Sequence, residues 1–213
     1  MRILKSDTYI NEKLDIKPVT KDMLSKFREE PSVDENTRQF IEDNNLKWNP
    51  VTKSYDCGGD VKVSEDIVAD GKLKIRFGKV GGEFDCGNNN LTTLDGAPQY
   101  VGGSFYCYGN KLTTLKGAPQ EISKDFDCGN NNLTTLEGAP KYVGDNFICS
   151  YNKLTTLEGA PKEVGGGFYC TSNKLVSLEC APNKVGGYFY CSDNPNLVLP
   201  KGKPSWLKGN FIN

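Results

Sequence analysis

The sequence predicts a solenoid with a parallel β-sheet of about eight short strands. It also predicts a mostly irregular convex side and a small helical and hairpin cap at the N-terminal end. Three observations lead there. Six of the eight cysteines (Cys86, Cys107, Cys128, Cys149, Cys170 and Cys191) follow one another at a constant step of 21 residues, and a fixed step marks an internal repeat. Aligned on them, the units follow the skeleton V-x-x-x-F-x-C-x-x-N-x-L-x-x-L-x-x-A-P, with Ile122 for Val in the third and the sixth departing after Asn194. Phe and Cys alternate with variable residues, the period-two signature of a half-buried strand. The Asn, the Leu pair and the Gly-Ala-Pro then turn the chain back. One short strand per unit requires parallel strands stacked through successive coils.

Taken in order, residues 1–19 contain Pro18 and no helical apolar stripe, so they read as an extended arm. Thr20 can cap a helix running through Phe27 to Glu30, where Pro31 stops it. A second helix is expected from Asp34 to Asp43 with Phe40 and Ile41 facing inward. Trp48, the turn at Asn49 and Pro50, and Tyr55 read as a hairpin that closes the first edge of the solenoid. These elements make residues 20–54 a cap, and residues 55–213 the solenoid. Residues 61–63 supply a first strand, and Phe77 and Val80 lead into the regular units. Leu207 and Phe211 repeat the Val-x-x-x-Phe spacing, which makes 211–213 a last strand. Eight strands at about 4.8 Å each give a sheet about 34 Å long. No dedicated cap follows Phe211, so residues 197–213 are expected to fold back with Trp206 over apolar surface, or to meet a partner or a second copy.

A finer period of 42 overlies the first. Units one and three share FDCGNNNLTTL and a final tyrosine (Tyr100, Tyr142). Units two and four share a Lys before LTTL (Lys111, Lys153) and a final glutamate (Glu121, Glu163). Duplication of a two-unit block explains this, and the surface is expected to alternate along the solenoid.

Composition narrows the function. Lys and Arg total 26 against 27 Asp and Glu, a net charge of −1. That balance gives no electrostatic footprint for nucleic acid or a membrane surface. Histidine is absent, which removes His-dependent nucleophilic triads, His general bases and His-ligated metals. Mean hydropathy is −0.53, and no apolar run approaches the ~18 residues of a membrane span. The opening MRILKSDTYINEKL has no apolar stretch of the secretory kind, so a cytoplasmic site of synthesis is expected.

The motif F-x-C-x-x-N-x-L resembles the L-x-L-x-x-N-x-L core of leucine-rich repeats, with Phe and Cys in two of the Leu places. The unit length and the Ala-Pro ending are similar to the short bacterial class found in effectors and in many bacteriophage-encoded proteins. The resemblance covers residues 55–213, and the segment before the first regular unit resembles the capping repeat of the phage-type proteins. INEKLDIKPVT is similar to openings found in proteins of gut-bacterium phages. The ubiquitin-ligase domain that follows such repeats in some effectors has no counterpart before Asn213. The resemblance implies a phage or bacterial-host setting, in the host cytoplasm or on the virion.

Four residue sets could carry chemistry. The ladder cysteines point inward with the phenylalanines and read as buried, reduced core residues. Side chains on in-register parallel strands point the same way, a poor disulfide geometry. Cys57 and Cys180 fall outside the ladder, and Cys180 replaces the glycine of Gly-Ala-Pro. The asparagines Asn89, Asn110, Asn131, Asn152, Asn173 and Asn194 are expected to bond backbone groups left unpaired where each strand turns. Among the carboxylates Glu83, Asp85, Asp125 and Asp127, Asp85 and Asp127 lie two units apart, about 10 Å at 4.8 Å per strand. That is too far for one calcium ion and slightly beyond the ≈ 6.5–9.5 Å of inverting glycosidase carboxyls, so they read as a solvated acidic patch.

The fourth set is the outward strand face. It is acidic near the start and tyrosine-rich toward the end, with Asp85, Tyr106, Tyr108, Asp127, Ile148, Tyr151, Tyr169, Tyr188 and Tyr190 as the candidate partner-binding residues on the concave surface. Exposed tyrosines combine rigid contact area with a polar tip, the composition of interface hot spots. The expectation is a non-catalytic module that binds a protein partner, host or phage, on this face. The alternative is a structural or packaged component of a phage particle, docked through the N-terminal arm. No enzyme activity, cofactor, metal, nucleic acid or membrane is expected.

Overall fold

The computed structural model describes residues 29–202, 204, 205, 207–209, 211 and 212. The arm at 1–19, the helix expected from Thr20 and the shielding expected of Trp206 lie outside the described residues. The chain divides into two units, residues 1–32 and 33–213. In the first, the described residues 29–32 are irregular and exposed. The second is a solenoid of stacked parallel coils.

Its first helix, α1, runs Glu35–Asp43. Asp34 caps it, accepting the Thr37 N–H at 2.9 Å and the Lys74 ammonium at 3.1 Å. The Thr37 N–H leads in holding the Asp34 carboxyl down at about 2, with Lys74 adding to it. Phe40 and Ile41 are buried as their spacing predicts, and Phe40 meets Phe77 edge-on at 6.4 Å. The hairpin follows as β1, Lys47–Asn49, and β2, Ser54–Cys57. Trp48 stands opposite Tyr55 with ring centroids 5.2 Å apart. β2 then pairs in parallel with β6, Phe77–Val80, so the hairpin occupies the edge of that sheet.

The main sheet has eight strands, all parallel. It begins at β3, Val61–Lys62, and, after a separate antiparallel pair, β4 (Val68–Ala69) and β5 (Lys72–Leu73), continues through β7 (Phe84–Asp85), β9 (Phe105–Tyr106) and β11 (Phe126–Asp127). β13 (Phe147–Ile148), β15 (Phe168–Tyr169), β17 (Phe189–Tyr190) and β18 (Phe211–Ile212) complete it. Phe84, Phe105, Phe126, Phe147, Phe168 and Phe189 are directly in register and fully buried. Their rings stack at 5.0–5.5 Å along the axis. The Cys, Leu and Val columns complete one continuous core.

The asparagine ladder welds each coil to the one before it. Asn152 Nδ2 donates to the Cys128 carbonyl of the preceding coil and to Cys149 of its own, each at 3.1 Å, while its Oδ1 accepts the Leu133 N–H at 2.9 Å. Asn110, Asn131, Asn173 and Asn194 repeat the pattern one coil apart. These bonds satisfy backbone groups stranded at the corner where the strand ends, as the sequence predicts.

A second row of strands, beyond the one strand per unit read from the sequence, forms around the Val column. It comprises β8 (Tyr100–Val101), β10 (Glu121–Ile122), β12 (Tyr142–Val143), β14 (Glu163–Val164) and β16 (Lys184–Val185). β8 belongs to the sheet of β1, β2 and β6, and the rest form a separate sheet. The break has a local cause. Gly102, Gly144, Gly165 and Gly186 follow the Val column, and a Cβ on any of them would collide with the carbonyl oxygen of the preceding coil. Unit three has Ser123 there. Its side chain cannot be accommodated at that spacing, and its Oγ instead donates to the Gly102 carbonyl at 3.0 Å.

Candidate functional site

The eight-stranded sheet places the predicted face in one register: Asp85, Tyr106, Asp127, Ile148, Tyr169 and Tyr190 succeed one another across it. All six are half-buried, because each side chain is flanked by the same position on the neighbouring strands. Tyr169 and Tyr190 stack at 4.6 Å and 8°. Tyr188, 49% exposed, joins them at 5.9 Å from Tyr190. Burial, with Tyr190 and Asp125 beside it, raises the Tyr169 phenol above its usual range. Tyr106 is separated from this group by Asp127 and Ile148 and pairs instead with Tyr108 at 6.4 Å. The tyrosines therefore form two clusters rather than one uninterrupted column.

Between the clusters lies a cavity of ≈ 350 Å³, a shallow hollow open to solvent, lined by Tyr108, Asp127, Gly129, Asn130, Ile148, Ser150, Tyr151 and Tyr169. Five of those eight belong to the set read from the sequence. Asn130 and Ser150 were not in it, nor was Gly129. It is not at a positive φ, so space rather than backbone conformation explains the residue: a Cβ would stand 3.1 Å from Asp127 Oδ1 and 3.3 Å from the Ser150 carbonyl. A missing side chain is visible in a sequence, but what its absence opens depends on the neighbouring coils.

The four carboxylates separate by use. Asp125 Oδ1 accepts the Asn146 N–H at 2.9 Å, and Asn146 Oδ1 accepts the Gly167 N–H at 2.8 Å, so Asp125 serves the coil stack. Asp85 accepts the Gly87 N–H at 2.9 Å and lies 3.7 Å from Lys62. Burial, with Asp60 and Asp85 nearby, raises Glu83. Asp127 accepts the Gly129 N–H at 2.8 Å and enters no ion pair among the described residues. Burial raises its carboxyl despite the Gly129 N–H, with Asp125 and Asp85 adding to the effect.

Tyr151 is a conformational exception. Its φ is +57°, and the equivalent positions in the other five units hold Asn88, Gly109, Asn130, Ser172 and Asp193, also at positive φ. Asn, Asp and Gly visit this region readily, whereas a bulky side chain there is an outlier. Tyr151 nonetheless stands 65% exposed at the rim of the cavity.

The ladder cysteines are free and buried. Burial pushes Cys107, Cys128, Cys149 and Cys170 far above the ordinary thiol range, raises Cys86, and brings Cys191 up to about 11. Cys180 is exposed at φ +63°. It occupies the third position of a turn closed by the Ala181 N–H to the Leu178 carbonyl, where the first four units use glycine at φ +85° to +95°. Among the described residues, no three Cys, Asp or Glu side chains are grouped to hold a metal ion.

Compared with protein-family models, curated protein sequences and solved structures, the chain matches none.

Proposed function

We propose that this chain is a non-catalytic interaction module, of the short leucine-rich-repeat type found in bacteria and their phages, that binds a protein partner across the outward face of its eight-stranded sheet. One observation carries the reading. Tyr106, Tyr108, Tyr169, Tyr188 and Tyr190 crowd one sheet face in two ring clusters, with Tyr151 at the rim of the cavity between them. The fold's apolar requirement is already met by the inward Phe, Cys and Leu columns. Aromatic area that the core does not use is the material of interface hot spots.

The test replaces Tyr106, Tyr169 and Tyr190 together by Ala and measures two properties. Partner capture from cells that make the protein should be lost, since hot-spot truncations cost about 2 kcal/mol or more each. Thermal melting should move far less than for Phe126→Ala, whose core cavity costs about 3–5 kcal/mol. Wild-type capture by the triple variant would remove the sheet face as the binding surface.

A further inference from the structure

The two 42-residue blocks contain the same niche twice and treat it differently. In the first, Asp85 and Gly87 are followed one coil later by Tyr108. The Tyr108 ring lies over Gly87, so that a Cβ there would stand 2.8 Å from it, and Lys62 answers Asp85 at 3.7 Å. The niche is filled and its charge is paired. In the second block Asp127 and Gly129 repeat the pair, but the residue one coil later is Ser150. No ring plugs the niche. The tyrosine has moved one place on, to Tyr151, where it forms a wall of the cavity at a backbone angle its equivalents leave to Asn, Gly, Ser and Asp.

Beyond Lys62 on the first strand, the charge at the outward strand positions has one sign. From residue 83 to residue 192 the outward strand positions carry Glu83, Asp85, Asp125 and Asp127 and no Lys or Arg. The cavity therefore combines aromatic side chains (Tyr108, Tyr151 and Tyr169), the Ile148 side chain and one carboxylate that has no cation partner among the described residues. Aromatic ring faces attract cations even at solvent-exposed sites such as this one. A carboxylate beside them adds the complementary charge.

We propose that the Asp127 cavity receives a basic side chain, lysine or arginine, presented by the protein partner. The proposal rests on the reading of the sheet face as a partner surface and names the chemistry that surface selects. Tyr151 supplies the outer wall, Asp127 the charge, and Gly129 with Ser150 the open space that Tyr108 closes in the first block.

The probes are two blocked pentapeptides, acetyl-GGKGG-amide and the same peptide with the lysine acetylated, titrated into the full chain while amide signals of Gly129 and Tyr151 are followed by NMR. The lysine peptide should give saturable shifts, and acetylation should weaken it at least about tenfold. Asp127→Asn should abolish the preference for the charged peptide. Ser150→Tyr should install the plug of the first block and abolish binding. Tyr151→Asn should also abolish binding while raising the melting temperature, because asparagine suits the positive φ, which separates lost recognition from lost folding.

Equal binding of both peptides, wild-type preference in Asp127→Asn, or no saturable shift with either peptide would each overturn the proposal. Partner capture keeps the two readings apart. If Asp127→Asn captures the partner normally while the triple tyrosine variant does not, the sheet face stands and the basic anchor falls. If the triple variant captures normally, the face itself falls.

Discussion

Raising the pH above 9 should unfold this protein through its cysteines. In the folded chain Cys86, Cys107, Cys128, Cys149, Cys170 and Cys191 are fully buried, and burial keeps their thiols neutral. In the unfolded chain the same thiols ionise around their ordinary value of 9.0. Above that value the unfolded state releases protons that the folded state retains, so stability is full below pH 9 and falls as the pH climbs toward the folded-state values. Cys191, at about 11, is the first of the ladder to ionise in place. One thiol loses about 1.4 kcal/mol per pH unit in this window, so six lose about 8 kcal/mol by one unit above their unfolded value. A domain of this size has about 5–15 kcal/mol in all. Urea unfolding followed by circular dichroism, in reductant, from about pH 7 to about pH 10, should show a steep loss beginning near 9. Cys149→Ala should reduce the slope by about one sixth, one thiol in six. A stability unchanged up to pH 10, or a slope indifferent to Cys149→Ala, would refute neutral burial of the ladder.

Three further outcomes follow from the coil geometry. Cys180→Gly should raise stability by about 1 kcal/mol, because glycine removes the left-handed penalty that the equivalent turns avoid; a lower melting temperature would contradict this. Asn152→Leu leaves the buried Leu133 N–H without its acceptor, while the Cys128 and Cys149 carbonyls each keep one donor, Asn131 and Asn173. At about 1–3 kcal/mol for one stranded group, urea denaturation should register a loss of that size, and an unchanged midpoint would contradict it. Ser123→Gly should let β8 and β10 pair, and hydrogen exchange at residues 121–124 should slow; unchanged exchange would mean that Ser123 is not what interrupts the row.

Much of this was legible in the sequence because a 21-residue step fixes register without long-range inference. Phe, Cys and Asn sit at constant offsets, so burial in one unit implies burial in all. The hairpin at Trp48 and Tyr55 and the helix around Phe40 and Ile41 carried their own local signals in turn residues and apolar spacing. The second row of strands was less legible, since each strand is two residues long and Tyr100–Val101 has no alternation to display. Its glycines look like turn residues, and only the contact with the preceding coil reveals that they are there for lack of a Cβ. At the candidate site, the tyrosines and Asp127 were readable as outward residues. The cavity was not, because it arises from the comparison of Tyr108 with Ser150 one coil beyond an Asp-x-Gly pair. Tyr151 offered a weak clue by standing where the other units place small or polar residues.

The asparagine ladder has a consequence for how the length of this protein can change. Each Asn amide ties its own coil to the preceding one through the same set of backbone groups. Any internal coil thus presents the same upper surface as its neighbour and accepts the same lower one. Removing or adding one whole coil joins faces that already match, whereas a change of one residue more or less puts an Asn out of reach of the carbonyls it must serve. Coil number is therefore the dimension along which such a gene can drift without losing its fold. Because the niches differ between the two blocks, each such step would move the filled and open sites relative to each other by one strand spacing.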